Sequence, residues 1–116
     1  MRKLYIVKRK DEFDNIINSC PSIKNSSFVI YYKDNSFKYD RFGISVGKKI
    51  GNAVTRNHFK RKVRAIIDNY KKNYVNQRDY IIILRRSAID KDFSELEKDF
   101  NKLMHNLGKD KNNEEK

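Results

Sequence analysis

The spacing of apolar positions changes several times along the chain, and each change marks a new element. Phe13, Ile16 and Ile17 recur at i, i+3, i+4, with Asp11 and Glu12 in the opening turn. That spacing predicts a short helix ending by Pro21. Phe28 to Tyr32 (FVIYY) is aromatic and β-branched, which predicts a strand. Asp34-Asn35-Ser36 reads as a turn, and a second strand is expected around Phe37 to Tyr39. Phe42 to Val46 alternates large and small residues and predicts a third strand.

A basic loop follows, Gly47-Lys48-Lys49-Ile50-Gly51, and the period then becomes helical from Asn52 to Tyr70. Phe59, Val63, Ile66, Ile67 and Tyr70 form one apolar stripe, while Asn57, Lys60, Arg61 and Arg64 gather on a separate flank. Asp79 to Leu84 (DYIIIL) reads as a buried strand. Ser94-Glu95-Leu96-Glu97 fits a capping box, and Phe93, Leu96, Phe100, Leu103 and Leu107 give the core face of a last helix. Gly108 is the expected stop, and 109–116 is expected to be a disordered charged tail. There is no internal repeat and no interdomain linker. The order α-β-β-β-α-β-α predicts a single-domain α+β sandwich, one sheet with helices packed against it. Within it, Phe42 to Leu84 forms a β-α-β crossover, and the crossover holds the most basic part of the chain.

Charge sharpens this picture. The 116 residues suffice for one core. They carry 27 Lys and Arg against 15 acids, a net charge of +12. The excess lies in two stretches. Residues 1–10 hold Arg2, Lys3, Lys8, Arg9 and Lys10, and residues 48–64 hold seven cations and no acid. Aromatic residues make up 12%, a load that a disordered polycation would not carry. Crowding like charges costs self-repulsion unless a polyanion offsets it. Solubility alone is the simpler explanation of a charge run. Seventeen residues without one acid instead favour a nucleic-acid partner. The single cysteine, Cys20, permits neither an intrachain disulfide nor a Cys-rich zinc site, and its place beside Pro21 suits packing. No apolar run approaches the roughly 20 residues of a membrane span, and no apolar segment follows the basic start as in a secretory signal. A cytoplasmic, reducing setting without a membrane partner is expected.

Catalytic chemistry is missing from the pattern. A two-metal nuclease needs clustered carboxylates, and the basic stretch has none. Asp90, Asp92, Glu95, Glu97 and Asp99 surround a helix start, where carboxylates complement the helix dipole. His58, His105 and Cys20 share no ligand spacing. Gly47-x-x-x-Gly51 lacks the rest of a phosphate-binding loop. No catalytic residue and no metal site is therefore expected in the protein itself. The basic helix alone fits a free-standing RNA-binding or ribosome-associated module. A nuclease acting without RNA would have only His58 among the cations to support it.

One segment says more. The run Lys48-Lys49-Ile50-Gly51-Asn52-Ala53-Val54-Thr55-Arg56-Asn57-His58-Phe59-Lys60-Arg61 resembles, without gaps, the signature K-K-x-G-N-A-V-x-R-N-R-x-K-R of the protein subunit of bacterial ribonuclease P. The flanks agree: Phe13 in the first helix, Phe28-Val29-Ile30-Tyr31 in a strand, and Asp79 to Ile83 after the basic helix. The likeness spans residues 1–108.

This resemblance implies an RNA-binding accessory subunit of a ribozyme that removes the 5′ leader from precursor tRNA, a hydrolytic endonuclease reaction. It implies that catalysis and the essential Mg2+ belong to the RNA subunit, and that the crossover is left-handed. Lys48, Lys49, Arg56, Asn57, His58, Lys60, Arg61 and Arg64 would face the catalytic RNA. Phe13, Ile17, Val29, Tyr31 and Ser45 would line a cleft for the single-stranded leader, and no DNA partner is implied. Two departures stand out. His58 occupies a position that is usually Arg, and Ile6-Val7 stands where the family often has Arg-Leu. Lys3, Lys8 and Arg9 could replace that charge.

Overall fold

The computed structural model describes residues 10–72, 74 and 76–114. The basic stretch of residues 1–9, with the Ile6-Val7 departure and its substitutes Lys3, Lys8 and Arg9, lies outside the described residues. Helix α1 is Lys10–Ser19, followed by strands β1 (Ser22–Lys24), β2 (Phe28–Asp34) and β3 (Arg41–Ser45). A 3-10 turn over Lys48–Ile50 leads into α2 (Ala53–Lys71). Strand β4 (Arg78–Leu84), a short 3-10 turn and α3 (Phe93–Glu114) complete the chain.

The four strands form one sheet in the order β1-β2-β4-β3. β2 runs antiparallel to β1 and β4, whereas β3 is parallel to β4. Adjacent parallel strands need a long crossover, and α2 supplies it. β4 is covered on both faces except at Ile83, which explains its nearly unbroken apolar run. On one face Tyr80 and Ile82 join Phe28, Ile30 and Phe42 against Phe59, Val63, Ile66 and Ile67 of α2 and Leu96, Phe100 and Leu103 of α3. On the other face Ile81 meets Ile16 of α1, with Phe13, Ile17, Cys20, Tyr31 and Ile83 around them. Each fully buried isoleucine in these two layers contributes about 1.5–3 kcal/mol. The sandwich is therefore α2 and α3, then the sheet, then α1.

Three expectations are corrected. Phe37 to Tyr39 is not a strand. Asn35 folds the segment into a turn by accepting the Phe37 N–H at 2.9 Å and donating to the Tyr39 carbonyl at 3.2 Å. Phe37 then stacks on Tyr39 with ring centres 5.1 Å apart. The first strand is instead Ser22–Lys24, where only Ile23 packs on the core. The α-β-β-β-α-β-α order holds with a different member. The cap of α3 is Asp92, whose carboxylate accepts the Glu95 N–H at 2.9 Å, in place of Ser94. Glu97 accepts from Asn69 of α2. Finally, α3 continues past Gly108 to Glu114, so that glycine does not end it.

Candidate nucleic-acid interface

The crossover begins with a constrained backbone. Gly51 has φ +155°, a conformation that side chains rarely adopt, and a Cβ there would lie 3.0 Å from the Thr55 Cβ. Asn52 then caps α2, its side-chain oxygen accepting the Thr55 N–H at 2.9 Å. The turn before it exposes Lys48 and Lys49 beside the positive end of the helix dipole, and the first turn of α2 carries no acid.

The buried stripe of α2 decides where its cations point. Phe59, Val63, Ile66, Ile67 and Tyr70 face the core. At 100° per residue, Arg56, Lys60 and Arg64 follow each other one turn apart along one border of that stripe, with Asn57 and Arg61 just outside. Arg56 and Lys60 are half-buried, and Asn57, Arg61 and Arg64 are exposed. No described carboxylate forms an ion pair with any of these cations. The Arg56 Nε is buried without a hydrogen-bond partner among the described residues. An unpaired buried donor costs about 1–3 kcal/mol. His58 is exposed but belongs to the opposite flank, its ring edge-on to Phe59. The helix thus brings together Arg56, Asn57, Lys60, Arg61 and Arg64, preceded by Lys48 and Lys49, and leaves His58 apart.

The other sheet face carries the expected cleft residues. Pairing places Lys24, Val29, Ile83 and Ser45 in one row across all four strands. The next row is Tyr31, Ile81 and Gly43. α1 lies over that second row, because Phe13 touches Gly43 and Ile16 packs on Ile81. Val29, Ile83 and Ser45 remain half-exposed beside α1 and form an open floor, while Phe13, Ile17 and Tyr31 are half-buried at its margin. All five residues expected in the cleft share this face. Lys24, Gly43, Ile81 and Ile83 belong to it too. For Gly43, Ile81 and Ile83 the signal was the two-residue alternation of β3 and β4, which places every second residue on one face; Lys24 had no such signal. Ser45 also joins the two surfaces, since Lys48 and Lys49 follow it by three and four residues.

A third row, beyond α1, is polar and rigid. Arg41 grips the buried Asp79 with its Nε at 2.9 Å and a terminal nitrogen at 2.7 Å, and Asn35 donates to the same carboxylate at 2.9 Å. Burial alone would raise Asp79, but the bonds from Arg41 and Asn35 outweigh it and hold the group below the usual carboxylate range. Asp40, also buried, accepts the backbone N–H groups of Asn76 and Arg78, which fixes the entry to β4. Its burial raises its pKa against those bonds. Among the described residues no three His, Cys, Asp or Glu side chains gather where they could hold a metal ion. No described helix is long and apolar enough to cross a membrane.

Known proteins resemble this chain in sequence and in fold. The model of the Ribonuclease P family matches residues 1–108. A Ribonuclease P protein component of Mycoplasma mycoides is 43% identical over 108 residues, covering 92% of this chain and 99% of the relative. One from Streptococcus pneumoniae is 40% identical over 107 residues, covering 92% of this chain and 85% of that one. Among solved structures, a Staphylococcus aureus RNase P protein mutant with defective mRNA degradation activity superposes with a TM-score of 0.84 at 32% identity, covering 91% of this chain and 90% of the other. The Thermotoga maritima RNase P protein in complex with 1-(4-fluorophenyl)-2-thiourea gives 0.76 at 29% identity, over 84% and 95%.

Proposed function

Because this chain belongs to the ribonuclease P protein family, we propose that it works through two separate RNA surfaces, one for the catalytic RNA and one for the substrate's leader. The chain is the protein subunit of ribonuclease P, an endoribonuclease ribonucleoprotein of tRNA processing. The division between surfaces is carried by one observation. The unpaired cation row of α2 and the open row of the sheet lie on opposite faces, joined at Ser45 to Lys48.

On the first surface, Arg56, Lys60 and Arg64 advance about 6 Å per four-residue step and meet successive phosphates. Arg61 and Asn57 widen the track, and Lys48 and Lys49 extend it. Arginine holds a phosphate through two parallel bonds, whereas lysine acts as a point charge. His58, facing away, is not needed for this track. The backbone carries no sequence information, which suits a grip on a folded RNA by its shape. On the second surface, Tyr31 and Phe13 offer ring faces beside Val29, Ile17 and Ser45. Stacking on aromatic rings is tolerant of base identity, as a leader of variable sequence requires. The protein thereby positions substrate against the RNA. It supplies no acid, base or nucleophile to the phosphodiester. The RNA subunit carries out the cleavage and holds the Mg2+ that supports it.

Reconstitution tests this. Adding the purified chain to a bacterial ribonuclease P RNA should lower the Mg2+ concentration needed to remove the leader and tighten binding of precursor tRNA. An unchanged Mg2+ demand together with unchanged precursor affinity would contradict the proposal.

A further inference from the structure

α2 has a second flank, which the cation track does not use. Lys62 and Asn69 lie on it, seven residues apart, on the side where α3 packs. Between the two helices is a cavity of about 360 Å3 lined by Asn69, Tyr70, Tyr74, Glu97, Asn101 and His105. Tyr74 is 43% exposed, one of few large apolar side chains left open to solvent. Its ring is stacked on Tyr70 at 4.9 Å and stands nearly perpendicular to the His105 ring at 5.4 Å. Glu97, Asn101 and His105 follow one another at four-residue spacing on α3 and form the opposite wall. Asn69 holds the Glu97 carboxylate through one oxygen at 2.9 Å. Lys98 and Lys102 stand at the rim, in the shallower groove that continues along α3.

We infer that this cavity holds one unpaired purine nucleotide of the catalytic RNA. The inference rests on the ribonuclease P reading above. Each part of the site suits a part of that ligand. The exposed part of the Tyr74 ring offers a surface on which any base can stack. Asn101 donates and accepts, matching adenine, and the second Glu97 oxygen accepts from amino and imino groups such as those of guanine. Lys98 and Lys102 receive the flanking phosphates. The volume lies at the small end of the range for ligand sites. The source is the catalytic RNA rather than the leader, because the cavity opens on the α2 and α3 face of the sheet. The open row offered to the leader is on the other face.

Site-directed photo-cross-linking on the reconstituted holoenzyme tests this. In a Cys20→Ser background, an aryl azide is attached at Lys102→Cys, and in a second protein at Asn57→Cys. The Lys102 probe should cross-link to an unpaired purine of the catalytic RNA and not to the leader. Tyr74→Ala should weaken holoenzyme assembly about fivefold or more, while Tyr74→Phe should restore it. If the Asn57 probe reaches the catalytic RNA but the Lys102 probe reaches only leader, or nothing, the inference fails and the two-surface reading stands. If neither probe reaches the catalytic RNA, both fail. Circular dichroism of Tyr74→Ala separates loss of the site from loss of the fold, and tight assembly by a folded Tyr74→Ala protein would also overturn the inference.

Discussion

The ring of Phe13 closes over Gly43 so tightly that a Cβ on that glycine would sit 2.9 Å from the ring and 2.8 Å from the Ile81 side chain. The absence of a side chain at position 43 therefore sets the height of α1 above the sheet, and with it the wall of the leader cleft. Gly43→Ala should destabilise the fold by about 1–3 kcal/mol, the usual range for overpacking. It should also lower the affinity for precursor tRNA more than the affinity for the catalytic RNA. Thermal unfolding and two binding titrations check this, and an unchanged precursor affinity would count against the role given to α1.

Two neighbouring glycines make opposite predictions. Gly51→Ala places a Cβ at φ +155° and 3.0 Å from Thr55, so the start of α2 must shift. Strain of this kind costs about 1–3 kcal/mol. Lys48, Lys49 and Arg56 move with it, and catalytic RNA binding should weaken. Gly47 has an ordinary φ of −75° and nothing within 4 Å of where a Cβ would stand. Gly47→Ala should therefore leave both stability and binding unchanged within error.

Acid should unfold the protein through Asp79 and Asp99. Burial pushes both carboxyls up, but Arg41 and Asn35 on Asp79, and Ser27 and Lys91 on Asp99, prevail and hold both below their ordinary value of 3.8. A lowered folded pKa gives stability that is present above the unfolded value and lost as pH falls through the folded one. Asp40 has the opposite sign. Its pKa is raised by burial, so its contribution favours the fold at low pH and declines as pH rises through the raised value. Asp79→Asn removes the buried carboxylate that Arg41 and Asn35 hold and should cost about 3–5 kcal/mol near neutrality. It should also flatten the loss of stability below pH 4. Denaturant melts across pH 3 to 7 on both proteins check the two effects, and equal acid sensitivity would refute this assignment.

Salt provides a separate check on the cation track. Each phosphate contact removed should reduce the slope of log affinity against log salt by about one unit. Lys60→Ala and Arg64→Ala should each do so for the catalytic RNA. Glu95→Ala, on the exposed start of α3, should not. Slopes that stay at the wild-type value in both lysine and arginine variants would remove those residues from the track.

Much of this architecture could be read in the chain because its signals are local. The α2 stripe and its capping Asn52 are set by nearby residues, and the continuous run of β4 follows from burial on both faces. The errors have non-local causes. Phe37 and Tyr39 have the composition of a strand, yet Asn35, tied to Asp79 across the sheet, bends them away. Ser22–Lys24 is a strand only because β2 pairs with it, and three residues carry no period of their own. Asp92 won the cap from Ser94 by one short contact, and nothing in the spacing distinguishes the two. At the candidate interface, helical period sorted Asn57, Lys60, Arg61 and Arg64 from the core, and the motif added Arg56. His58 was grouped with them by the motif, although its angle around the helix puts it elsewhere. The open row from Lys24 to Ser45 needed strand register, which depends on pairing between residues far apart in sequence, such as Val29 and Ile83.

The central claim is that two surfaces do two jobs, and paired substitutions measure it most directly. Arg61→Ala and Tyr31→Ala are each assayed for affinity to the catalytic RNA and for preference of the holoenzyme for precursor over mature tRNA. Arg61→Ala should lose about 1.5–3 kcal/mol of assembly energy, the range for a charged hydrogen bond, and keep the preference. Tyr31→Ala should assemble normally and lose about 1–3 kcal/mol of the preference, the range for one stacked base. Loss of both properties to the same extent in both variants would contradict the account.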